Sequence, residues 1–148
     1  MACDTNDFVY PLIADIYYPI VSQSAYGDVN KRWILGKSIA CNFSAVGRKY
    51  KESVQTNVEI LLDSSLIGRT RCDVRESSDG TSYAITNVIV TNIRDVLGNQ
   101  IYMETSGIRN GKPTLFEIAG NEPIVGPFGS TEYWKVIIKR SDNQGVDV

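Results

Sequence analysis

Ile39-Ala40-Cys41-Asn42-Phe43-Ser44-Ala45 carries the reading that decides the fold class. Ile39, Cys41, Phe43 and Ala45 alternate with Ala40, Asn42 and Ser44, a period of two that places one set of side chains on each face of a pleated strand. Upstream and downstream the same period returns. Val54, Thr56, Val58, Ile60 and Leu62 stand against Gln55, Asn57 and Glu59, and Trp134, Val136 and Ile138 stand against Lys135 and Lys139. No window keeps apolar residues at spacings of three and four long enough for a helix, so only single turns near residues 4–10 or 64–68 fit a helical pattern.

Further runs rich in β-branched and aromatic residues cover 12–21, 70–75, 83–94, 100–105 and 114–118. Between them lie Tyr26-Gly27-Asp28, Ser78-Asp79-Gly80, Leu97-Gly98-Asn99 and Arg109-Asn110-Gly111, whose Gly, Asn and Asp accept the positive φ of tight hairpin turns. The runs 83–94 and 100–105 read as a long hairpin. Roughly eight short strands with almost no helix must curl to hide their edges. The expected fold is therefore all-β, a small antiparallel β-barrel or sandwich with long hairpins and loops. Residues 1–148 read as one β-barrel-like domain, with 1–11 an N-terminal arm, 95–140 a C-terminal extension of the sheet and 141–148 a polar, flexible tail.

Composition narrows the function classes. The chain has 148 residues, with 15 Lys and Arg against 17 Asp and Glu, a net charge of −2 that argues against bulk binding to nucleic acid or an anionic membrane. Cys3, Cys41 and Cys72 are widely spaced, odd in number and accompanied by no histidine, so the sequence supports neither a zinc site nor a disulfide framework and points to a reducing compartment. An acidic start, with Pro11, Asp15 and Pro19 interrupting the apolar stretch that follows, predicts neither an export signal nor a membrane span. General acid-base chemistry draws on His or on paired carboxylates. Glu59 with Asp63, and Asp73 with Glu76, only flank strand ends, and no nucleophile elbow or phosphate-cradling loop is present. We expect no enzyme, no metal and no cofactor.

Three groups of residues remain as candidates for contact with other molecules. Lys31, Arg32, Lys37, Arg48, Lys49 and Lys51 fall in a run with no acidic residue, a local basic stretch in an acidic chain. Arg48, Lys49, Tyr50 and Lys51 form a loop tip suited to a phosphate backbone or an acidic protein surface, and Tyr26, Asp28, Lys31 and Arg32 form a hairpin interface. In Gly120–Ser130 the Pro and Gly residues argue against regular ladder pairing, yet Ile124, Val125 and Phe128 are apolar for a solvated loop. That segment is expected either to plug the barrel mouth or to dock on another subunit.

Ile16-Tyr17-Tyr18-Pro19, Tyr26-Gly27-Asp28, Trp33 and Ser38-Ile39-Ala40-Cys41 before Gly47, followed by Val58–Leu62, Arg71–Val74 and Asp79–Val88, together resemble tailed-bacteriophage head completion proteins of the stopper, or head-closure, kind. The resemblance covers roughly residues 12–94. It implies a homo-oligomeric ring, expected to be a hexamer, between the portal or adaptor ring and the tail proteins of the virion, assembled in the host cytoplasm and closing or gating the DNA channel. Arg48, Lys49, Tyr50 and Lys51 would then face the channel, its packaged double-stranded DNA or a neighbouring subunit. Residues 95–148 exceed the usual stopper length and would also suit a tail-terminator, tail-tube or baseplate component. The residues alone leave a generic nucleic-acid- or carbohydrate-binding barrel as the alternative.

Overall fold

The computed structural model describes residues 3–5, 7–23, 25–27, 29–45, 65–146 and 148. It is all-β, as the period of two required. Its strands are β1 (Leu12–Gln23), β2 (Val29–Ala45), β3 (Ser65–Thr70), β4 (Ile89–Arg94), β5 (Phe116–Val125) and β6 (Thr131–Arg140), with one 3-10 turn at Ile85–Asn87. Every pairing is antiparallel, in the order β1-β2-β3-β6-β5-β4, and β4 returns to β1 to close a barrel.

Alternation builds the core. Ala14, Ile16 and Tyr18 of β1, Ile39, Cys41 and Phe43 of β2, and Val136 and Ile138 of β6 all point inward, joined by Leu66, Val90, Phe116 and Ile118. Closing so few strands forces strong coiling and close approaches between them. Gly68 of β3 pairs with Phe43, and a Cβ there would stand 1.8 Å from the Asn42 carbonyl oxygen. Gly36 sits where the β1–β2 register slips, and the Tyr18 ring occupies the space its side chain would need. Asn92 takes a positive φ of 55° at the β1–β4 irregularity, held by its Nδ2 donating to Asp15 Oδ2 at 2.8 Å.

Several expectations are corrected. Residues 71–75 are not a strand, because Asp73 Oδ1 accepts the Arg75 amide at 3.0 Å and turns the chain. Residues 100–105 make only the isolated bridges Arg94↔Gln100 and Met103↔Pro113, so the hairpin beyond Arg94 is short. Residues 65–68 are strand, not a helical turn. Gly120–Val125 does pair, inside β5, with register shifts at Ile118/Gly120 and Ile124/Val125 and with Pro123 in register opposite Trp134. The tail is anchored: Gln144 is buried, donating through Nε2 to Leu115 O at 2.9 Å and accepting from Leu115 N at 3.0 Å. The cysteine reading also changes, since Cys3 and Cys72 form a disulfide with Cα atoms 5.7 Å apart, leaving Cys41 buried and free. Spacing along the sequence concealed that pair because the N-terminal segment folds back beside β2, where the Ala40 amide donates to Cys3 O at 2.6 Å. The expected strand at 54–62 lies outside the described residues.

Candidate interaction surface

The register places two ribbons at the same end of the barrel. β1 pairs with β4 only as far as Tyr17↔Ile89, and β2 pairs with β3 only from Cys41↔Thr70, so the rest of the β1–β2 hairpin overhangs the barrel. On the other side β5 meets β4 only at Ile89↔Glu117 and Val90↔Phe116, and β6 meets β3 only up to Thr70↔Trp134. The β5–β6 hairpin therefore overhangs as well, and because β1, β3 and β5 run in one direction both tips leave at one end. In the ring order β3 separates the ribbons on one side and β4 on the other, which sets them on opposite walls. Each carries a Pro across from a Trp, Pro19↔Trp33 and Pro123↔Trp134.

Between the ribbons the mouth is stoppered by the β3–β4 connection. Val74 is fully buried, and Tyr18 Oη donates to Val74 O at 2.5 Å and lies 3.2 Å from Glu76 O. The Tyr18 ring stacks on Tyr83 at 4.5 Å. Burial, with Asp73 nearby, raises the Tyr18 phenol pKa, so it stays a hydrogen-bond donor. The expected plug, Gly120–Ser130, is instead a ribbon and its turn.

The β1–β2 ribbon is apolar on both faces. Tyr18↔Ile34 and Ile20↔Arg32 share one face, and Tyr17↔Leu35, Pro19↔Trp33 and Val21↔Lys31 share the other. Ile34 is 39% exposed and Ile20 40% on the first, Leu35 54% and Val21 61% on the second. At the β5–β6 tip Phe128 is 97% exposed, Val125 is also exposed, and Ile124 is half-buried. Tyr26 lies exposed at the β1–β2 tip. Lys31 Nζ sits 4.7 Å over the Trp33 ring and donates to Asn87 Oδ1 at 3.3 Å, while Arg32 is exposed.

Of the basic run, Lys31, Arg32 and Lys37 lie among the described residues. Lys31 and Arg32 lie at the ribbon end of β2, whereas its last residue, Ala45, lies at the opposite end of the barrel, roughly 40 Å away along an extended strand. Asp28, Arg48, Lys49, Tyr50 and Lys51 lie outside the described residues. Lys37 turns inward, donating from Nζ to Asp73 O, and burial lowers its pKa against the opposing pull of Asp73 and Glu76.

Lys37 also lines a recess of about 510 Å³ between the N-terminal segment and the β3–β4 connection, with Asp4, Ser38, Asp73, Glu76, Ser77, Ser78 and the disulfide. Its hydroxyls are committed: Ser38 Oγ donates to Asp15 Oδ1 at 2.8 Å, Ser78 Oγ to Gly36 O at 2.9 Å, and Ser77 Oγ to Asp79. Among the described residues no group of three His, Cys, Asp or Glu is placed to hold a metal. Sequence reading missed the two-faced apolar ribbon, although Ile20-Val21 and Ile34-Leu35, adjacent apolar pairs on either side of the turn that must fall on both faces of their strands, were its signal.

The chain matches no protein-family model and no curated protein sequence. Its backbone is similar to the solution structure of protein SF1141 from Shigella flexneri 2a, at 12% identity and a TM-score of 0.47, over 93% of this chain and 100% of that one.

Proposed function

We propose that this chain is a non-enzymatic structural subunit of a tailed-phage neck, a barrel that assembles as a ring between the portal or adaptor ring and the tail and closes the DNA channel. The observation that most supports this reading is the overhanging β1–β2 ribbon, whose Ile20, Ile34, Val21 and Leu35 leave apolar side chains exposed on both faces. An apolar surface of that kind marks a contact with another macromolecule. The resemblance carried by Ile16–Cys41 names the assembly, and the loop holding Arg48, Lys49, Tyr50 and Lys51 would supply cations to the channel or to an adjacent ring.

Electron microscopy of the full chain, alone and added to DNA-filled heads lacking a neck, tests the reading. Rings of uniform diameter at the portal vertex, with DNA retained, are the expected result. A chain that stays monomeric with every neck partner present overturns it. Salt-sensitive binding of short single strands by the isolated chain, without rings, would favour the nucleic-acid-binding barrel instead.

A further inference from the structure

We infer that the two ribbons are complementary halves of one interface, the β1–β2 ribbon of one copy docking against the β5–β6 ribbon of a second copy. This inference rests on the ring reading above and names the contact that would build the ring. The first ribbon presents Ile20 and Ile34 beside Arg32 on one face, and Val21 and Leu35 beside Lys31 on the other. The second presents Val125 and Phe128 beside Glu122 and Glu132, both exposed. Lys135 stands across from Glu122 in the register and offsets part of that charge, so the anionic character gathers near the tip, at Glu132.

Charge selects the partner. Two β1–β2 ribbons brought together would oppose cation to cation, and two β5–β6 ribbons would oppose Glu132 to Glu132, whereas unlike ribbons join apolar surface to apolar surface and cation to anion. Apolar contact supplies the attraction and the charges supply the pairing rule. Because the contact joins two different patches, it is head-to-tail, and such contacts repeat from copy to copy until a rotation closes them. The ribbons leave one end of the barrel on opposite walls, so each copy offers one half of the interface to each of two neighbours.

Analytical ultracentrifugation of full-length variants at low salt tests the contact. Lys31→Glu with Arg32→Glu reverses the first ribbon, and Glu122→Lys with Glu132→Lys reverses the second. All four positions are exposed, so folding should survive, and an unchanged melting temperature checks that it does. Each reversal alone should weaken self-association at least tenfold, and the chain carrying both should recover it. Mixing the two singly reversed proteins should restore assembly with the two variants alternating, because wild-type ribbons meet at one contact and reversed ribbons, which also match, meet at the next. If the wild type assembles and neither reversal changes that, the ribbon contact is wrong and the ring reading stands. If the wild type never self-associates, alone or on heads, both fall.

Discussion

Cys3 and Cys72 are separated by 69 residues in sequence, and their bond closes a loop that contains β1, β2 and β3. In the chain-entropy account, a loop of that size is worth about 4 kcal/mol. Reduction, or Cys3→Ser with Cys72→Ser, should therefore lower the urea midpoint markedly. An unchanged midpoint with reductant would show that the Asp7–Arg71 ion pair and the Cys3–Ala40 hydrogen bond hold the arm alone. Burial pushes the Cys41 thiol up to about 12, so it should resist alkylation until the chain unfolds. A second residue pair ties stability to pH. Hydrogen bonds from Arg140, first among several causes, hold the Glu104 carboxyl below its usual pKa. A depressed folded-state pKa means that the unfolded chain takes up the proton first. The contribution is thus fully present above the ordinary carboxylate range and disappears as pH falls through the lowered value. The stability gap between wild type and Glu104→Gln should shrink between neutral pH and pH about 3; a gap constant across that range would refute the assignment.

Among elements, β3 is the tightest joint of the barrel. A Cβ on Gly68 would meet the Asn42 carbonyl oxygen at 1.8 Å and Phe43 Cα at 2.8 Å, backbone atoms that cannot rotate aside. Gly68→Ala should cost about 3 kcal/mol or more, or prevent folding. Gly120→Ala is the control, because its Cβ would meet only the Ile137 side chain at 3.8 Å and should be nearly neutral. Equal melting temperatures for the two variants would contradict the close approach of β2 and β3. Element existence was legible wherever alternation was clean, as at Ile39–Ala45 and Trp134–Ile138. It failed at residues 71–75, where β-branched composition suggested a strand but Asp73 Oδ1, accepting from the Arg75 amide, turned the chain instead, and at 100–105, which make only isolated bridges. It also failed at 120–125, where pairing with β6 carries Pro123 in register with Trp134 and leaves the irregularities at Ile118/Gly120 and Ile124/Val125, a match that only the partner strand makes visible.

For the whole molecule, the barrel buries its core without drawing on the tips of either ribbon, so folding and assembly should separate. Phe128→Ser removes a fully solvated ring and should leave the melting temperature unchanged while reducing sedimentation of the assembled species; a large fall in melting temperature would mean that Phe128 supports the fold itself. What the chain determined by itself was local. Period-two spacing requires strands because side chains alternate across a pleat, and glycines such as Gly80 and Gly98 mark turns because, lacking a Cβ, they adopt positive φ without strain. Tertiary structure alone decided which strands meet, that β4 closes on β1, that Cys3 finds Cys72, and that the β1–β2 and β5–β6 ribbons leave the barrel at one end. Each of these rests on contacts between residues far apart in sequence, determined by how the described strands coil around one interior, and no spacing along a single segment records it.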